Sequence, residues 1–206
     1  GASAASRGGV EEAYFLPVEE IVRRALEAQE LGATEVCLQA GLSPGLPQDF
    51  YERAAGAVRA AAPALHLHAF SPEEVRYGAR LSGRSVPEML RALKAAGVGS
   101  LPGTSAEILD DGLRARLGGN RLTSAQWREV IAAAHAEGLA TTSTMMYGHM
   151  ETPEQVAAHL ALLRELQLES RASRPACITE FVPLSFVATE APIWQDVERR
   201  PKDLPG

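Results

Sequence analysis

The side chains of this sequence that could do chemistry fall in five groups, each within or just after an apolar run. Imidazole, carboxylate and phenol groups can move protons or hold a polar ligand, and a glycine lets the backbone come close to one. The groups are Gln39 with Gly41; His66 and His68 with Ser71 and Glu74; Gly103 with Glu107; Tyr147 with His149; and Glu180 with Pro183.

Two of the carboxylates also have a purely local explanation. Glu74 lies three residues after Ser71, and Glu107 lies three residues after Thr104. Each spacing is that of a capping box, in which the carboxylate closes the first turn of a helix. Capping and ligand binding both remain open for these residues.

The histidines allow more than one interpretation. His66 and His68 alternate along a β-like run, so their side chains face the same side and could bind a metal or be hydrogen-bonded in the interior. With His149 they could form a hydrolytic zinc site. His135 and His159 fall inside helical patterns and are expected at the surface or on the flanks of their helices. The sequence contains no P-loop, GxGxxG, HExxH or CxxC motif.

Apolar periodicity predicts an alternation of strands and helices that would position these groups. Strands are predicted at residues 34–39, 65–70, 98–101, 139–146 and 178–182. Helices are predicted at residues 18–31, 48–62, from 71, from 85, at 104–109 with a weak continuation to 117, from 123, and at 153–169.

This alternation predicts parallel strands joined by right-handed crossovers, as in an α/β protein. A (β/α) barrel and an open doubly wound sheet both satisfy it. A complete TIM-type barrel takes about 250 residues, so five strands indicate a partial (β/α) barrel without its first strand and last units. We expect residues 1–194 to form this domain and the charged residues 195–206 to be a frayed tail.

The composition narrows the class of protein. The 206 residues are 46% hydrophobic and 22% charged, with a net charge of −6, which disfavours nucleic-acid and anionic-membrane partners. No apolar run is long enough to span a bilayer and no leader is evident, so we expect a cytoplasmic protein. The two cysteines, Cys37 and Cys177, are too few for a disulfide framework and are expected to be buried free thiols.

Five segments resemble radical S-adenosylmethionine (radical SAM) enzymes. They are residues 35–41, 66–75, 100–111, 142–149 and 179–186, and the likeness runs in order from about Tyr14 to Ile193. Within that class the amino-acid sequences of these segments are most similar to the tyrosine-utilising 4-hydroxyphenyl transferases of deazaflavin (FO) synthesis. Two menaquinone-pathway radical SAM enzymes, aminofutalosine synthase and dehypoxanthine futalosine cyclase, share much of the pattern and are the alternatives.

The resemblance implies a particular reaction. In that family a 4Fe-4S cluster held by a Cys-x3-Cys-x2-Cys loop reduces S-adenosylmethionine to give a 5′-deoxyadenosyl radical. The radical activates L-tyrosine, whose Cα–Cβ bond breaks, and the 4-hydroxybenzyl fragment adds to 5-amino-6-(D-ribitylamino)uracil. A companion FO synthase subunit or domain is the implied protein partner.

The resemblance also implies roles for individual residues of this sequence. The implied cofactor-binding residues are Gln39, Gly41 and Glu107. The implied substrate-binding residues are His66, His68, Ser71 and Glu74, and the implied catalytic residues are Tyr147, His149 and Glu180.

One departure from the family concerns the cluster. Its loop would fall before Tyr14, where residues 1–9 contain no cysteine. Cys37 and Cys177 lie on separate predicted strands and cannot form a three-thiolate loop, so we expect a truncated copy without the usual cluster ligands and with no protein-bound metal. A non-catalytic barrel fragment is therefore a further alternative, and open strand edges predict self-association.

Overall fold

The fold was analysed in a computed structural model that describes residues 16–118 and 121–187. Residues 1–9 and the predicted tail, 195–206, lie outside these ranges. Within them the elements are α1 (Val18–Glu30), β1 (Glu35–Leu38), α2 (Phe50–Ala61), β2 (His66–Ala69), α3 (Pro72–Ser82), α4 (Val86–Ala95), β3 (Ser100–Leu101), α5 (Asp111–Leu117), α6 (Ser124–Ala136), β4 (Ala140–Tyr147), α7 (Pro153–Ser173) and β5 (Ile178–Ser185).

The five described strands form one parallel sheet whose spatial order, β1-β2-β3-β4-β5, follows the chain. A doubly wound sheet reverses its strand order at a switch point, and this sheet has no reversal. The structure therefore decides between the two predicted architectures in favour of a partial barrel.

The two faces of the sheet have different surroundings. Val36 and Leu38 of β1 and Leu67 of β2 pack with α1 to α4 in the main hydrophobic core. The alternate residues of the same strands, including Cys37 and His68, face the other side. We call that side the concave face, and it carries many of the polar residues identified above.

Local sequence explains where most helices begin. The side chains of Ser71, Ser85, Thr123 and Thr152 each accept a hydrogen bond from the backbone N–H of the third helical residue, and that residue's side chain accepts one from the backbone N–H of the cap. These capping boxes confirm the predicted starts of α3, α4 and α6.

The helix predicted at residues 104–109 is wrong. Ser105 and Glu107 have φ values of 60° and 40°, and the helix begins only at Asp111, after the N-cap Asp110. The backbone carbonyls of this loop are used by tertiary donors, because Trp127 Nε1 binds Thr104 O at 3.0 Å while the buried guanidinium of Arg114 binds the next two carbonyls. Glu107 therefore does not cap a helix.

Three burial predictions are also wrong. His135 and His159 were expected at the surface or on the flanks of their helices but are fully buried, the first between α6, α7 and β4 and the second beside the loop before α5. Cys37 was expected to be buried but is exposed, because β1 has only one strand neighbour among the described residues. Within the described ranges, no helix combines the length and apolarity that crossing a membrane requires.

Candidate functional site

The turn after β1 is held by a carboxylate from α3. Glu74 Oε1 accepts hydrogen bonds from the backbone amides of Ala40 and Gly41, the second at 2.8 Å. Its other oxygen accepts from the amide and the hydroxyl of Ser71, both at 2.7 Å. Glu74 is 3% exposed, so one buried carboxylate both caps α3, as its spacing from Ser71 predicted, and shapes the glycine turn.

Gly41 is suited to this turn by its backbone conformation. Its φ is +71°, a region that side chains rarely adopt, and a Cβ built there would meet nothing within 4 Å. The phenol of Tyr51 donates to its carbonyl at 2.9 Å. The turn is thus fixed on both sides while open space remains next to it.

A cavity of about 420 Å³ lies on the concave face and brings residues of all five strands together. Alternate positions of parallel strands supply its lining, since their side chains point to one side of the sheet. Its polar and thiol-bearing members are Glu35, Cys37, Gln39, His66, His68, Ser100, Thr104, Thr142, Thr179 and Glu180.

Three of these residues form a hydrogen-bonded group at the start of β2 and β3. Ser100 Oγ lies 2.7 Å from His66 Nε2 and 2.6 Å from His68 Nδ1. The Glu35 carboxylate is 3.7 Å from His66 Nε2. His66 is exposed and His68 is buried, so the outer ring can meet solvent while the inner one faces the cavity.

Burial controls the ionisation of this face. It lowers the pKa of His68 below the ordinary value, even though Glu35 and Glu180 act in the opposite direction. Partial desolvation by the neighbouring strand also raises the pKa of the Cys37 thiol, although its side chain is exposed at the edge of the described sheet. At neutral pH the cavity therefore presents a neutral imidazole and a protonated thiol.

The loop after β3 places Glu107 between two arginines. Arg121 donates to Glu107 Oε1 at 2.5 Å, and Arg114 lies 3.7 Å from Oε2. Oε2 is buried and has no hydrogen-bond partner among the described residues. Glu107 thus has one carboxylate oxygen that is paired with Arg114 but accepts no hydrogen bond from the described residues.

The end of β4 carries the next two candidates, Tyr147 and His149. Tyr147 is 42% exposed, whereas His149 is 1% exposed and its Nε2 donates to Met146 O at 3.1 Å. Met146 N in turn donates to Glu107 O at 3.0 Å. One residue of β4 thereby connects the Glu107 loop with the His149 loop.

Glu151 closes the loop that contains His149. It accepts from the amides of Gly148 and His149, at 2.5 and 3.0 Å, and its carboxylate lies 3.4 Å from His149 Nδ1. Burial acts to raise the pKa of Glu151, but the amide hydrogen bonds and His149 outweigh it and hold the value below the ordinary one. His149 is therefore held within its own loop beside an ionised carboxylate.

The structure brings the sequence candidates together in three places. Gln39, His66, His68 and Glu180 line the cavity; Gly41, Ser71 and Glu74 form the turn after β1; Glu107, Tyr147 and His149 flank the end of β4. His149 does not line the cavity with the strand histidines, so the zinc site composed of all three is wrong. His66 and His68 both lie within β2, as the alternation along the predicted strand indicated.

Sequence reasoning missed Glu35, Ser100, Arg121 and Glu151. Glu35 and Ser100 become neighbours of His66 and His68 only through the strand register, which pairs Glu35 with His66 and Ser100 with His68. Glu151 could have been found, because a carboxylate two residues after a loop histidine is a short-range signal. The sequence around Arg121 contains no short-range pattern that would have identified it as a partner of Glu107.

Comparisons with known proteins confirm the resemblance to radical SAM enzymes that the five sequence segments showed. A sequence model described as the radical SAM superfamily matches residues 4–163. The chain is 46% identical over 185 residues to the 5-amino-6-(D-ribitylamino)uracil–L-tyrosine 4-hydroxyphenyl transferase of Methanothermobacter thermautotrophicus, an alignment that covers 90% of this chain and 49% of the relative.

Two further relatives have similar sequence identities to this chain. The transferase of the same name from Synechococcus elongatus is 46% identical over 200 residues, covering 93% of this chain and 52% of the relative. The FO synthase of Mycobacterium tuberculosis is 45% identical over 197 residues, covering 96% of this chain and 22% of the relative. The chain thus spans about half the length of the transferases and less than a quarter of the FO synthase.

Proposed function

Because this chain belongs to the radical SAM superfamily, we propose that it forms the cofactor- and substrate-facing part of a 4-hydroxyphenyl transferase. The substrates would be L-tyrosine and 5-amino-6-(D-ribitylamino)uracil, the two compounds in the relatives' name. The observation that carries the proposal is the extent of the similarity, which covers 90% of the chain and so includes all three groups of site residues.

The residues at the strand ends fit S-adenosylmethionine. When bound and reduced by one electron from a donor outside this chain, this cofactor would supply the radical that activates the substrate. Glu107 Oε2, which accepts no hydrogen bond from the described residues, is an acceptor suited to a ribose hydroxyl or an ammonium group, and the space beside Gly41 leaves room for a ligand at the turn after β1. Gln39 lines the cavity next to that turn.

The residues of this chain do not fit a 4Fe-4S cluster. Such a cluster takes its ligands from closely spaced cysteines, and the chain has only Cys37, on β1, and Cys177, just before β5. These strands are the first and the last of the described sheet. No step of the reaction is therefore assigned to a cluster held by these cysteines.

The cavity residues would bind and orient the substrates. A neutral His68 can both accept and donate a hydrogen bond, which suits the amino, carbonyl and hydroxyl groups of tyrosine and the ribityl-uracil. Glu180 lies on the strand at the opposite side of the cavity and can accept from their N–H and O–H groups. Tyr147 is exposed at the end of β4, where it can contact a ligand bound beside that strand end.

A companion part of the enzyme is supported by the FO synthase relatives. The chain matches 22% of the Mycobacterium tuberculosis protein, so that protein combines a segment like this one with much additional sequence. We propose that this chain acts with a companion FO synthase subunit or domain.

Cofactor binding tests the first part of the proposal. We expect the chain to bind S-adenosylmethionine in isothermal titration calorimetry, and Glu107→Gln to weaken binding about tenfold, the effect of losing one charge-assisted hydrogen bond. Glu129→Gln is the matched control, because Glu129 is an exposed carboxylate on α6. Equal affinities of the Glu107 and Glu129 variants would contradict the assignment.

Product formation tests the second part. The chain would replace the matching 185 residues of the Methanothermobacter thermautotrophicus transferase, and the hybrid would be supplied with S-adenosylmethionine, L-tyrosine and the ribityl-diaminouracil. Mass spectrometry should detect the coupled product. Turnover of a futalosine-type substrate instead would assign the chain to the menaquinone pathway.

The cysteine count favours a second candidate function. With two cysteines on separate strands, the chain would bind ligand without turning it over. In that case the chain itself would bind S-adenosylmethionine but would take up no iron and release no 5′-deoxyadenosine after anaerobic reconstitution with iron and sulfide.

A further inference from the structure

Three potential metal-ligand atoms converge at the start of β1 and β2. They belong to Glu35, His66 and His68, and all lie within 4.8 Å of one another. We propose that these residues bind one divalent transition-metal ion of the zinc class. The site goes beyond the proposed transferase function, since its occupancy depends on neither S-adenosylmethionine nor turnover.

The backbone fixes the three side chains on one face. Glu35 and His66 are paired residues of neighbouring parallel strands, and His68 is two residues further along β2. Because side chains alternate along a strand, His66 and His68 point to the same side. The site therefore needs no loop movement to bring its ligands together.

The two imidazoles already point at a common position. Ser100 Oγ lies 2.7 Å from His66 Nε2 and 2.6 Å from His68 Nδ1. A hydroxyl carries one proton and can donate to only one of these nitrogens, so the other ring must donate to it. A metal ion would take the place of this shared hydrogen bond by binding a lone pair on each ring.

The donor set matches the preferences of zinc. Two imidazole nitrogens and one carboxylate oxygen are common zinc ligands, and three protein ligands leave a further position for water or a substrate oxygen. The 3.7 Å between the Glu35 carboxylate and His66 Nε2 is close to the separation of two ligands around one tetrahedral ion with bonds of about 2.1 Å. This set replaces the His149-containing zinc site suggested by the sequence.

The site is separate from Gly41 and Glu107, two of the three residues assigned to S-adenosylmethionine; the third, Gln39, lines the same cavity. Glu35 and His66 are the first residues of their strands, whereas Gly41 and Glu107 follow the ends of β1 and β3. His66 and His68 are shared with the proposed substrate cavity, so a bound ion would present its open position to that cavity.

Equilibrium dialysis of the metal-free chain against Zn²⁺ tests the site. We expect one equivalent to bind, and Co²⁺ to give the visible absorption of a tetrahedral ion. His66→Gln and Glu35→Gln should each weaken binding by about 100-fold or more, since even outer-shell changes cost about 10- to 100-fold. Both side chains are exposed, and circular dichroism would verify that the variants fold.

Two control variants separate this ligand set from others. Glu30→Gln changes an exposed carboxylate at the end of α1, and Cys37→Ser removes the nearest thiol, which pairs with His68 across the strands. Both should keep the affinity of the parent chain. Unchanged affinity in His66→Gln, or loss of binding in Cys37→Ser, would overturn the proposal. S-adenosylmethionine titrations of the same variants show whether cofactor binding fails independently.

Discussion

The carboxylate of Glu74, in the first turn of α3, accepts a hydrogen bond from the backbone amide of Gly41, 33 residues earlier in the chain. The same oxygen accepts from the amide of Ala40, and the other oxygen caps α3 through Ser71. A buried charged acceptor with four donors is strongly satisfied. The turn after β1 and the start of α3 are therefore one structural unit.

Glu74→Gln should destabilise the chain by about 2 kcal/mol. The amide would turn an N–H group toward donors from Ala40 and Gly41 or from Ser71, and leave them unsatisfied. Glu88 provides a matched control, because it forms the same capping box with Ser85 at the exposed start of α4. Urea unfolding should show a loss of about 0.5 kcal/mol or less for Glu88→Gln, and equal losses would contradict the long-range role of Glu74.

Gly103→Ala should destabilise the chain by about 3 kcal/mol because the added methyl overpacks the sheet. A Cβ at this position would lie 1.9 Å from Thr142 O, which is backbone and cannot move aside easily. Gly56→Ala in α2 is the comparison, since a Cβ there meets nothing within 4 Å. The greater helix propensity of alanine should raise the free energy of unfolding by up to about 1 kcal/mol in this variant. Thermal unfolding would show whether Gly103→Ala lowers the stability while Gly56→Ala raises it.

Arg114→Ala should destabilise the chain by about 3 kcal/mol or more. The buried guanidinium donates to the carbonyls of Leu122, Ala106 and Ser105, and all three would lose their partner. Arg91, an exposed residue of α4 paired with Glu137, is the control, and Arg91→Ala should change the stability by less than about 1 kcal/mol. Similar losses in the two variants would show that Arg114 does not support the loop.

Acid should destabilise the chain through two buried histidines. Burial lowers the pKa of His135 and of His159 from 6.5 to about 4. Below pH 6.5 the unfolded chain therefore binds protons that the folded chain does not. The stability due to their neutral forms is complete above pH 6.5 and is lost progressively as the pH falls toward about 4.

Urea unfolding at about pH 7 and about pH 5 would measure this loss. His135→Gln should have a smaller loss between the two conditions than the parent chain, even if it is less stable in both. An identical pH dependence in the parent chain and this variant would show that His135 does not titrate as expected.

The sequence predicted the elements whose signals are local. Ser71, Ser85 and Thr123 begin helices as their capping boxes indicate, and the strand periodicity placed His66 and His68 on one face. It also predicted that the strands are parallel, because helical segments separate each strand from the next.

Contacts between distant residues could not be predicted in this way. Residues 104–107 have the spacing of a helix start, but Trp127 and Arg114 bind their carbonyls, and this tertiary pairing prevails over the local preference. Ser100 becomes the partner of two histidines only through the strand register, which a single sequence does not reveal.

The backbone of Met146 connects the two loops that flank the end of β4. Its N–H donates a hydrogen bond to Glu107 O, and its carbonyl accepts one from the ring of His149. A deletion or insertion within β4 would invert the sides on which its residues project and would break both connections at once. Engineering a wider entrance therefore has to leave the length of this strand unchanged and alter the turns on either side of it.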